Sequence, residues 1–150
     1  MNSIPDFASS LRCSRNRLVL AVNLDSAYIE PMTDCLLLEQ YTPLAVQGEE
    51  EAVALLNRLY RQDCAPLSIL IHLCENMSDG LLLAAWVRAH KNNWTLQVFP
   101  LILAISWSPR LVSEEFFGVH QILDGYSGCI VRTVKNELKH WLQTSFDASS

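Results

Sequence analysis

Three stretches of this chain are apolar with little alternation: "RLVLAVNLD" (17–25), "APLSILIHL" (65–73) and "PLILAISWS" (100–108). A strand with one wet face alternates apolar and polar residues, whereas a strand covered on both faces does not. Each run is too short to span a membrane and is bounded by polar or turn residues, so all three read as buried strands. Helical spacing lies between and around them. "SAYIEPMTDCLLLEQY" (26–41) carries Ile29, Met32, Leu36 and Leu37 on one stripe, with Pro31 expected to delay or kink the start. "EEEAVALLNRLYRQ" (49–62) opens on three acids and carries Ala52, Leu55, Leu56 and Leu59 inward. "SDGLLLAAWVRAH" (78–90) is a third helix, with Ser78 or Asp79 as its cap.

The remaining elements are shorter. "TPLAVQG" (42–48) is a strand ended by Gly48. Ser108-Pro109 suits a helix start before "RLVSEEFF" (110–117), and "GVHQILDGYS" (118–127) gives a fifth strand and a turn. "CIVRTVKNELKHWLQ" (129–143) is the last helix, with Ile130, Val134, Leu138, Trp141 and Leu142 on one face. The segment "KNNWTLQVF" (91–99) fits no element clearly. Buried strands alternating with helices imply a parallel sheet with helices on both faces. Sites in such sheets lie outside the carboxyl ends of the strands, here Asn23–Asp25, His72–Leu73, Ser106–Trp107 and Leu123–Gly125.

The totals narrow the function classes. At 150 residues the chain suits one domain, and 50% hydrophobic with 18% charged residues is a globular balance. A net charge of −5 argues against a broad nucleic-acid face. Cys13, Cys35, Cys64, Cys74 and Cys129 are odd in number and form no C-x-x-C pair, which argues against a disulfide framework or a zinc site. No apolar run of about 18 residues is present, and "MNSIPDFASSLRCSRN" lacks the apolar segment of a secretory signal, so a cytoplasmic setting is expected. The organisation expected is a flexible arm (1–16), one domain (17–143) and a tail or truncated linker "TSFDASS" (144–150).

Over residues 17–143 the sequence resembles the receiver domain of bacterial response regulators. "ENMSDGLLLAAWVR" is similar to the loop and helix after that family's phospho-acceptor. "LILAISWS" resembles its fourth strand, which ends on Ser or Thr, and "GVHQILDGY" its Gly-Ala-x-x-aromatic segment leading to Lys-Pro. The resemblance implies a three-layer, flavodoxin-like α/β fold with a five-stranded parallel sheet in the order 2-1-3-4-5. It also implies phosphoryl transfer onto an Asp, with two further acids holding Mg²⁺ and with a hydroxyl and a Lys binding the phosphoryl oxygens.

Those roles fall on other residue types here. The acceptor, seven residues before the Asp-Gly, falls on His72. The acid pair falls on Asn23 and Leu24, and a slip of one residue brings in Asp25 alone. The hydroxyl falls on Ser106 and is kept, the Lys falls on Gly125, the Pro on Tyr126, and the aromatic switch on Ile122. The expectation is a degenerate, pseudo-receiver pocket made of Asn23, Leu24, Asp25, His72, Ser106 and Gly125.

Two readings of His72 stand side by side. It closes the old pocket by hydrogen bonds, or it takes a phosphoryl group or metal itself, the latter with His120, Asp25 or Glu75 nearby. Asp79 and Glu75 read as a helix cap and a loop acid, or as displaced ligands. Trp141 belongs either to the helix's core stripe or to an interface. The function expected is phosphorylation-independent protein–protein interaction in bacterial signalling or transcription control, without enzyme activity, cofactor or metal. A protein partner or a second copy would bind through strand 4, strand 5 and the last helix, at Trp107, Ile122, Tyr126, Arg132, Lys135, Lys139 and Trp141. No direct nucleic-acid or membrane contact is expected of this domain. The alternative is a small-ligand sensor using the vacated pocket around Asn23, His72 and Ser106.

Overall fold

Successive residues of a strand point to opposite faces of its sheet, and the apolar runs exploit this by loading both faces. In the computed structural model, which describes residues 17–24, 29–62, 66–73, 77–90, 100–106, 119–124 and 129–149, they form the centre of one parallel sheet. The strands are β1 (Leu18–Val22), β2 (Thr42–Val46), β3 (Ser68–Leu73), β4 (Leu101–Ser106) and β5 (Gln121–Asp124). Their order is β2-β1-β3-β4-β5, and every neighbouring pair is parallel. This is the order expected for the flavodoxin-like class. All residues of β1, β3 and β4 are buried.

Four helices are described: α1 (Ile29–Leu38), α2 (Glu49–Arg61), α3 (Met77–Ala89) and α4 (Ile130–Ser149). One face of the sheet presents Leu20, Val22, Ile69, Ile71, Ile102 and Ala104 to Ala52 and Leu56 of α2 and to Leu83, Ala84 and Val87 of α3. The other presents Val19, Ala21, Leu70, Leu103 and Ile105 to Met32 and Leu36 of α1 and to Ile130, Val134 and Leu138 of α4. The alternation hidden in an all-apolar strand is thus resolved into two cores, one per face.

Four local outcomes differ from the sequence expectation or refine it. Helix α1 starts at Ile29, before Pro31. Proline is tolerated there because the first-turn N–H groups have no partner inside the helix. Helix α3 starts at Met77, so Ser78 and Asp79 lie in its first turn and neither is the residue preceding it. Leu55 of the expected α2 stripe is only partly buried, whereas Ala52, Leu56 and Leu59 are fully buried. Helix α4 continues through residues 144–149, beyond the 129–143 expected of it. Pro43 lies in β2, the edge strand, where a missing N–H leaves only the open side of the sheet short of a donor. The expected helix at 110–117, the arm at 1–16 and residues 91–99 lie outside the described residues.

Candidate functional site at the carboxyl ends of the strands

Asn23 leaves β1 with a left-handed backbone (φ 57°), a conformation that Asn adopts more readily than most residues. Its N–H donates to the Val46 carbonyl at 3.0 Å, and its Oδ1 accepts the Gly48 N–H at 2.8 Å. Gly48 stands before the first turn of α2 with φ 93° and supplies no capping side chain. Asn23 therefore ties the end of β1 to the β2–α2 turn from both its backbone and its side chain. Leu24, the next residue, is 7% exposed and packs in the core with Met32 and Leu36. The two positions where the resemblance puts metal-holding acids are a turn staple and a core residue.

His72, the last residue but one of β3, and Ser106, the last of β4, are 3% and 1% exposed. His72 is level with Ile105, and Leu73 with Ser106, which in turn is level with Asp124 at the end of β5. Asp124, inside the strand end Leu123–Gly125 that the sequence pattern predicts but with no role assigned to it there, is exposed beside Ser106. The signal for it was the register of "LAIS" against "QILD", which only sheet pairing fixes. Asp25, Glu75, Gly125, Trp107 and Tyr126 lie outside the described residues.

His120 is not a co-ligand for His72. It is level with Ile102, three positions from the Ile105 level of His72, about 10 Å along the strand direction, and two strands away. Its N–H donates to the Ile102 carbonyl at 2.9 Å while its Nδ1 accepts the Ile102 N–H at 3.0 Å. The imidazole thus completes the β4–β5 ladder where β5 begins. Its ring meets Trp141 edge-on, with centroids 5.0 Å apart. Burial pushes the imidazole below its ordinary pKa, and the nearby Arg88 guanidinium adds to the shift. Among the described residues, no group of three His, Cys, Asp or Glu side chains is arranged to hold a metal.

The expected interface residues divide by environment. Arg132 and Lys139 are exposed on α4. Lys135 turns towards α1, with Nζ 3.7 Å from Glu39. Ile122 is partly buried against the core on the α2–α3 side, and Trp141 partly buried against the core on the α1–α4 side. Among the described residues, no helix is long and apolar enough to cross a membrane.

No protein-family model matches the chain, and no curated protein matches it in sequence. Solved structures do match. The receiver domain of a signal transduction histidine kinase from Syntrophus aciditrophicus superposes with a TM-score of 0.66 at 18% identity, over 85% of this chain and 90% of that one. A phosphorylated cyanobacterial phytochrome response regulator gives 0.65 at 20% identity, over 86% and 96%. The receiver domain of a sensor histidine kinase from Pseudomonas aeruginosa, with magnesium in its active-site cleft, gives 0.64 at 17%, over 85% and 98%. The fold is a receiver fold. The carboxyl ends of β1, β3, β4 and β5 lie along one edge of the sheet, and Asn23, Leu24, His72, Ser106 and Asp124 stand along it, with His72 on the α1–α4 side and Ser106 on the α2–α3 side.

Proposed function

We propose that this receiver-fold domain takes no phosphoryl group and acts as a constitutive protein–protein interaction module in signalling or transcription control. The observation that supports this most is the employment of Asn23 and Leu24. Mg²⁺ needs oxygen ligands in near-octahedral geometry and gives up its waters reluctantly. Asn23 Oδ1 already accepts the Gly48 N–H, and Leu24 is core. Asp124 beside Ser106 adds negative charge at the sheet end where phosphoryl oxygens want a cation. The partner or second copy would bind the face of β4, β5 and α4, with Trp107, Tyr126, Arg132 and Lys139 as anchors.

The small-ligand sensor has less support, because His72 and Ser106 are both closed off from solvent. The same burial disfavours His72 as a phosphoryl acceptor, since a donor must reach the acceptor atom. Intact-mass spectrometry after incubation with acetyl phosphate and Mg²⁺ tests the reading. The unmodified mass is expected, and a stoichiometric phosphoryl adduct would overturn it.

A further inference from the structure

Helices α2 and α3 both begin at the carboxyl ends of their preceding strands, so they run parallel on one face of the sheet. Between them lies a groove of about 600 Å³ lined by Glu49, Glu50, Val53, Leu82, Leu83 and Trp86, among others. Its floor is Leu83, which is fully buried, and Leu82 is 58% exposed on its wall. Leu82 is one of three large apolar side chains so exposed among the described residues, the others being Leu37 and Leu38 of α1. The half-buried Trp86 continues the wall one turn on from Leu82.

Helix α2, one wall of the groove, carries a charge gradient along its length. Glu49, Glu50 and Glu51 stand in the first turn of α2, and Arg58 and Arg61 in its last. The stripe Glu50, Val53, Ala54, Asn57 follows the i, i+3, i+4, i+7 positions of one helix face, and Arg58 and Arg61 extend it by a turn. An occupant would meet apolar walls in the middle, the carboxylates of Glu49 and Glu50 at one end and the Asn57 amide at the other. Small-ligand pockets converge several polar groups on one spot, but the polar groups here lie at the ends. An apolar trough with polar ends suits a helix laid lengthwise, its apolar residues pressed between Val53 and Leu82.

We infer that the α2–α3 groove docks an amphipathic helix of a partner protein, with basic residues at the end that meets Glu49 and Glu50. This surface is distinct from the β4–β5–α4 face and does not depend on it.

The probe is an amphipathic peptide of Leu, Ala and Lys, about 14 residues long and so roughly 21 Å as a helix, compared with its Leu, Ala and Glu counterpart. Amide and methyl chemical shifts of the whole chain report the site. The Lys peptide is expected to move the signals of Val53, Ala54, Leu82 and Trp86 and to bind at least about tenfold more tightly than the Glu peptide, a difference of about 1.4 kcal/mol. Leu82→Asp is expected to weaken it by about tenfold or more. Glu49→Lys with Glu50→Lys is expected to reverse the preference between peptides. Equal binding of the two peptides, or shifts centred elsewhere, would overturn the inference. So would a dimer in sedimentation that Leu82→Asp dissolves, because the occupant would then be a second copy. Leu82 is exposed, so its substitution leaves the core intact, and an unchanged melting curve for each variant keeps the comparison valid.

Discussion

Asn23 is the residue on which the proposal that this domain takes no phosphoryl group most depends. Its left-handed backbone and its bond to the Gly48 N–H are one device, since the turn brings Oδ1 to that N–H. Asn23→Ala removes the acceptor and leaves a less tolerant residue in a left-handed conformation. A loss of about 1–3 kcal/mol in urea unfolding is expected. His120 makes a second residue-scale prediction. Its Nδ1 holds the Ile102 N–H through a lone pair that the imidazolium lacks. Its folded pKa is lowered, so the unfolded chain takes up the proton first as pH falls. The stability it contributes is complete above the unfolded value of about 6.5 and is lost as pH drops from there through the folded value. Wild type is therefore expected to lose more stability than His120→Gln between about pH 7.5 and pH 5.5. Parallel pH dependences for the two proteins would contradict this.

At the scale of elements, the end of α1 shows how a helix stops without glycine. Tyr41 N–H donates to the Leu36 carbonyl at 2.9 Å, and Gln40 N–H to the Leu37 carbonyl at 3.0 Å, which is the Schellman pattern. Gln40 takes the left-handed position (φ 68°), where glycine is usual. The apolar contact of that motif is present as Leu36 and Tyr41, both in the α1–α4 core. Arg17, just before β1, donates to the Glu39 and Gln40 carbonyls at 2.8 and 3.0 Å and lies 4.4 Å from the Tyr41 ring centroid. The turn is thus clamped from the neighbouring strand. Burial raises the Tyr41 pKa, and Arg17 opposes that shift. Gln40→Gly relieves the left-handed strain at some cost in chain entropy and is expected to raise stability by up to about 1 kcal/mol. A lower urea midpoint would show that Gln40 contributes a contact outweighing the strain.

For the whole molecule, the receiver fold divides labour between its faces. The α1 side is knitted to α4 through the core and, weakly, through Lys135 and Glu39, whose side chains are 39% and 41% exposed. The α2–α3 side carries the charged groove. If the interaction face is β4–β5–α4, Trp107→Ala is expected to weaken partner capture or self-association, by about 2 kcal/mol for a true anchor. The circular-dichroism melt should stay nearly unchanged. Unaltered binding, or an unfolded variant, would move the face elsewhere.

The sequence by itself determined a parallel sheet with helices on both faces, because strands buried on both faces and alternating with helices leave few alternatives, while the order 2-1-3-4-5 was implied by the resemblance to receiver domains. "RLVLAVNLD", "APLSILIHL" and "PLILAISWS" each formed their strand, and the stripes through Met32, Leu56 and Val134 each faced the sheet. The absence of carboxylates at Asn23, Leu24 and His72 was equally legible, since residue type is local information. What those residues do instead was not. That Asn23 staples Gly48 depends on two strands ending at the same height. That His120 completes a ladder with Ile102, well away from His72, depends on the β4–β5 register. Asp124 stands beside Ser106 for the same reason. Strand pairing and turn geometry join residues about 20 positions or more apart, and a pattern with a period of 2 or 3.6 carries no information at that range. Only the tertiary structure decided those contacts, because they belong to the pairing of elements and not to any element alone.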